Sequence, residues 1–80
     1  MMPIIYIYDI IANNKKKFNR IKRRFYYHLN QMPLSKESWK TKSALAVAPK
    51  MEKAMDIFFK EFSNDVIVYK INARTISELD

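Results

Sequence analysis

Two segments near the ends of the chain, "IIYIYDII" at residues 4–11 and "DVIVYKI" at residues 65–71, are apolar on both of their alternating faces. β-Branched and aromatic residues dominate them, so both read as strands. Side chains of a strand alternate between its two sides. The first strand therefore presents Ile5, Ile7 and Asp9 on one side and Ile4, Tyr6, Tyr8 and Ile10 on the other. The second presents Val66 and Val68 against Ile67, Tyr69 and Ile71. Each face calls for cover.

Two amphipathic segments lie between these strands. In "NNKKKFNRIKRRFYYHLNQ", Phe18, Ile21, Phe25, Leu29 and Met32 share one helical stripe. Lys16, Arg20, Arg23, Arg24 and Tyr27 fall on the opposite side. Asn13 or Asn14 can cap this helix, and Pro33 stops it. A second helix starts at Pro49, with Met51, Met55, Phe58, Phe59 and Phe62 as its apolar face, and ends at "SND". "WKTKSALAV" reads as a strand. The space before it has room for another short strand, giving a hairpin around Lys36 to Ser38, and the tail "NARTISELD" has the length for one more. The order is β-α-β(β)-α-β. In 80 residues this is most simply one α+β domain over residues 1–80, a ferredoxin-like βαββαβ sandwich with both helices on one face of an antiparallel sheet. The other face would then be an apolar patch, and self-association as a homodimer is its simplest cover.

Composition narrows the chemistry. The chain has no cysteine and one histidine, which leaves no thiolate or zinc site to build. It has no glycine, so no glycine-rich phosphate loop. No apolar run is long enough to span a membrane. The apolar start lacks a basic leader and meets Asp9 early, so a soluble cytoplasmic protein is expected. The net charge of +7 is unevenly placed. Residues 13–42 carry ten Lys/Arg against Glu37 alone, whereas residues 43–80 carry five against six Asp/Glu. A basic excess held in one segment points to a polyanionic partner, nucleic acid or an anionic membrane surface.

The cationic helix face is the strongest signal, because no acidic residue lies between Lys15 and Gln31 to pair with it. Lysine and arginine neutralise phosphates whatever the base sequence, and Tyr27 offers a ring for stacking on a base of DNA or RNA. The bland alternative is a solvated face. Asp9 is the second signal. A carboxylate ending an apolar strand can hold Mg²⁺, which accepts one or two carboxylates plus phosphate, and the ion would serve phosphodiester cleavage. Equally, Asp9 can cap the turn into the first helix. His28 sits at the edge of the buried stripe and reads as a packing residue. Tyr6, Tyr8 and Tyr69 could form a base-stacking platform, but a core or dimer role is the simpler reading.

"IYIYDI" at residues 5–10 resembles the first strand of the CRISPR-associated protein 2 family, in which an apolar strand ending Tyr-Asp-Ile/Val precedes a basic helix. Tyr8 and Asp9 match that motif. "SALA", residues 43–46, lies where the family has a Ser-Val-Phe-Glu stretch, and "DVIVYKI" resembles the closing strand. The glutamate of that stretch, its Arg-Val-Gln lead-in and the glycines of the central hairpin are absent. The resemblance implies a homodimer with Asp9 near the two-fold axis, nucleic acid along basic surfaces, an integrase subunit as partner and a role in spacer acquisition and antiviral defence. Magnesium-dependent endonuclease activity varies in that family, and the missing glutamate bears on it here. Two other functions fit the same residues: a non-catalytic nucleic-acid-binding regulator, and a basic-helix module for an anionic membrane or an acidic partner.

Overall fold

The computed structural model describes residues 3–34 and 39–72, with the backbone alone at Trp39. Strand β1 (Ile4–Ile10) is followed by helix α1 (Lys15–Asn30), strands β2 (Trp39–Lys40) and β3 (Ala44–Val47), helix α2 (Glu52–Glu61) and strand β4 (Val66–Asn72). The four strands form one antiparallel sheet in the order β2-β3-β1-β4. This is the ferredoxin-like βαββαβ arrangement that the alternation of strand and helix patterns predicts. Edge strand β2 contributes only two residues.

Each helix starts where its sequence allows. The Asn14 side chain accepts from the Lys17 amide at 2.8 Å and caps α1, satisfying one of the free donors of its first turn. Asp9 makes no such cap. Pro49 opens a 3-10 turn (Pro49–Met51) that leads into α2, a position where its missing N–H costs nothing. The strand pattern of "WKTKSALAV" is broken by a tight turn. Thr41 N–H donates to the Ala44 carbonyl, and the Thr41 hydroxyl oxygen accepts from the amides of Ser43 and Ala44. The hairpin thus turns at residues 41–43. The turn expected around Lys36 to Ser38 and the strand expected in the tail lie outside the described residues. With no glycine in the chain, no described residue has positive φ, so these turns are built by side-chain oxygens instead.

One face of the sheet is covered by both helices. Ile4, Tyr6, Tyr8, Leu45, Val47 and Val66 are buried beneath Ile21, Phe25 and Leu29 of α1 and Met55, Phe58 and Phe59 of α2, with Phe62 just beyond it. Phe25 is fully buried, and its ring lies 5.1–6.0 Å from those of Tyr8, Phe58, Phe59 and Phe62. Phe18 and Met32, the ends of the predicted stripe, are only half-buried.

A polar network closes the α2 side. The Tyr6 hydroxyl donates to Asp56 Oδ1 at 2.7 Å, and Lys70 Nζ bridges Glu52 at 2.8 Å and Asp56 at 3.0 Å. The Tyr6 hydrogen bond, with Lys70 beside it, holds the Asp56 carboxyl below its usual range. Burial, reinforced by Asp56, pushes the Tyr6 phenol far up, so it stays a donor.

Two predictions follow from this packing. Phe25→Ala will lower stability by about 3–5 kcal/mol, a large share of what a domain of this size has, measured by urea unfolding. A group whose pKa is depressed by folding stabilises above its unfolded pKa and loses that contribution as pH falls through the folded value. Wild-type thermal stability will therefore drop below about pH 4, and Asp56→Asn will flatten part of that drop.

Candidate nucleic-acid interface

Burial of Ile21, Phe25 and Leu29 fixes the rotation of α1 and sends its cations in three directions. Lys16, Arg20, Arg23 and Tyr27 point outward and are exposed, Tyr27 at 61%. Among the described residues no carboxylate forms an ion pair with Lys16, Arg20 or Arg23. Arg24 departs from this row. Its guanidinium lies over the Phe62 ring, 5.3 Å from the centroid, on the flank facing the end of α2. Lys17 shares that flank and pairs loosely with Asp65 at 3.8 Å. Lys22 turns to the opposite flank, toward the β2–β3 turn.

The first turn of α1 carries Lys15, Lys16 and Lys17 and no acid. Positive charge there opposes the helix dipole and the free amides of the first turn. This arrangement weakens the helix and favours an anion close by.

Asp9 lies at the far end of β1 on the uncovered face of the sheet, paired in register with Ile67. It is exposed. Beside it the open face carries Ile7 opposite Tyr69, with Ile67 and Ile71 in the same row, all between 41% and 66% exposed. Among the described residues no group of three or more His, Asp or Glu side chains comes together. Asp9 therefore offers a divalent ion one carboxylate per chain. His28 is exposed rather than packed, 6.3 Å from the Phe62 ring. The tyrosine platform is not formed: Tyr6 and Tyr8 are buried under the helices, and only Tyr69 is on the open face.

Sequence reading misses a cleft of about 560 Å³ between α1 and the β2–β3 turn, at the Asp9 end of β1. Lys22, Lys40 and Lys42 line it together with Asp9 and the hydroxyl-bearing Thr41 and Ser43. The rings of Phe18 and Tyr26 add apolar wall. Tyr26 donates to the Lys42 carbonyl at 2.7 Å and ties the turn to α1. Tyr8 lies at the floor and donates to the Thr41 carbonyl at 3.3 Å; burial, then the Tyr26 hydroxyl, push its phenol far up. The one legible signal was Lys22 and Tyr26, a helical turn apart on one flank.

No protein-family model, curated protein or solved structure matches the chain. Its likeness to the CRISPR-associated family thus rests on Tyr8, Asp9, the quoted strands and the order of elements.

The division of charge on α1 gives opposite expectations for neighbouring residues. Arg24→Gln will lower stability by about 0.5–1 kcal/mol through loss of the Phe62 contact, while Arg20→Gln leaves it nearly unchanged. Lys16→Glu will raise stability by about 0.3–1 kcal/mol, because it reverses an unfavourable charge at the helix start. Chemical denaturation of the three variants at low salt reads these differences.

Proposed function

We propose that this protein binds nucleic acid through the outward face of α1, as a homodimer joined through its open sheet face. The observation that carries the reading is the row Lys16, Arg20 and Arg23, exposed and without carboxylate partners among the described residues, with Tyr27 at its end. Such a row neutralises phosphates without reading bases, so binding is strong at low salt and indifferent to sequence. The apolar stripe of α1 is consumed by the core, which leaves this helix no apolar face to lay into a bilayer. That favours nucleic acid over the membrane-surface alternative.

The dimer rests on Ile7, Ile67, Tyr69 and Ile71, a continuous apolar strip on two paired strands. A second copy covers such a strip with its own identical strip. Asp9 lies at the end of the strip, so a pairing centred there brings two Asp9 carboxylates together. Mg²⁺ belongs to the proposal on that condition, held by the Asp9 pair and nucleic-acid phosphate, and it would supply metal-assisted phosphodiester hydrolysis. The element order and the Tyr8–Asp9 ending of β1 support a place beside the CRISPR-associated protein 2 family, in spacer acquisition with an integrase subunit.

Three outward cations per chain, six per dimer, set the salt dependence. The log–log slope of duplex DNA binding against salt should fall between about −3 and −5, at about −0.9 per phosphate. Arg20→Gln with Arg23→Gln should flatten it and weaken binding alike for all sequences; a slope near zero, or unchanged affinity, refutes the reading. Sedimentation at micromolar concentration should give twice the chain mass, and Tyr69→Glu should return it to the monomer. Asp9→Asn should abolish any Mg²⁺-dependent cleavage while leaving binding intact.

A further inference from the structure

The cleft between α1 and the β2–β3 turn has features that the outward row does not explain. Three lysines face one carboxylate there, so the cleft is cationic despite Asp9. Lys22 and Lys42 make no ion pair among the described residues, and Lys40 donates to Asn30 Oδ1 at 3.1 Å, which holds it against the end of α1. Neutral donors stand beside the lysines. The Thr41 hydroxyl oxygen accepts from two amides, which leaves its hydrogen to donate outward. The backbone adds another. Tyr8 N–H donates to the Ser43 carbonyl at 2.9 Å, the last bond from β1 toward β3. By strand alternation the Ile10 N–H lies on the same edge, beyond the end of β3, and no protein acceptor meets it among the described residues. An amide left in this way needs water or a ligand.

The opposite wall is apolar and aromatic, formed by Phe18 and the Tyr26 ring. Lysines and free donors at one side, flat rings at the other and a volume of about 560 Å³ match a ligand with an anionic head and a flat, weakly polar body. We infer that the cleft binds a single phosphate-bearing nucleotide, its phosphate on Lys22, Lys42 and the Ile10 amide and its base along Phe18 and Tyr26. The nucleotide can be free or part of a strand. The cleft and the outward row occupy different flanks of α1, so either can fail alone.

The test is a chemical-shift titration of the whole protein by NMR, at low salt and with EDTA to exclude divalent ions. Adenosine 5′-monophosphate should shift the amides of Ile10 and residues 41–43 and bind more tightly than adenosine or inorganic phosphate. Lys22→Gln with Lys42→Gln should weaken it about tenfold, the effect of losing one charge-assisted contact. Arg20→Gln with Arg23→Gln should leave it unchanged. Asp9→Asn should tighten it, since a carboxylate repels the phosphate when no metal lies between. A 5′-phosphorylated oligothymidylate identifies the source: if it shifts the same amides at lower concentration than the mononucleotide, the ligand is a strand, and if it does not, a free nucleotide. The inference is overturned if the mononucleotide binds no better than inorganic phosphate, if it shifts no cleft amide, or if the two double variants lose affinity equally. All variants alter exposed side chains, and unchanged thermal melts establish that each is folded.

Discussion

The ring of Phe25 decides how this molecule is arranged. It is the point where β1, α1 and α2 meet, touching Tyr8 below and Phe58, Phe59 and Phe62 alongside. Aromatic side chains bury large areas with defined mutual angles, so a cluster of this kind holds its helices more narrowly than aliphatic packing would. Once Phe25 is seated, α1 cannot rotate about its axis. Everything on its surface follows from that: which cations face solvent, which lean on α2, and which turn toward the hairpin.

Much of this arrangement is legible in the sequence. The 3.6-residue period of Ile21, Phe25 and Leu29, the capping asparagine, Pro49 and the two-sided strands give the element order, and the order leaves few ways to close the sheet. The outward direction of Lys16, Arg20 and Arg23 follows from the same period. Arg24 does not, because a helical wheel places it at the margin of the stripe and only the position of Phe62 on another element draws it sideways. The hairpin turn escapes for a different reason. Lys-Thr-Lys-Ser alternates like a strand and contains neither glycine nor proline, yet the Thr41 hydroxyl supplies the hydrogen bonds that reverse the chain. The cleft could not be foreseen without that turn, since half of its wall is the turn itself.

The start of α1 shows a conflict between local stability and surface charge. A helix N-terminus prefers acidic residues, and here three lysines follow the cap. The buried face of the helix outweighs this, since amphipathic packing supplies most of a helix's stability in a folded domain. The fold thus tolerates a charge pattern that the isolated segment would resist, and the helix is the more dependent on Phe25 for it.

Lys70 has a meaning beyond its ion pairs. Strand β4 is seven residues long and ends the described sheet, so its outer backbone edge is a template on which another extended chain could add. Its open face of Ile67, Tyr69 and Ile71 would make such an addition sticky. Lys70 alternates out of that face and reaches over the strand to Glu52 and Asp56. A strand stacked against this edge would crowd or desolvate the ammonium group. The lysine thus discourages unlimited sheet growth while leaving the apolar face itself free, and so separates a closed pairing of two molecules from an open-ended fibre.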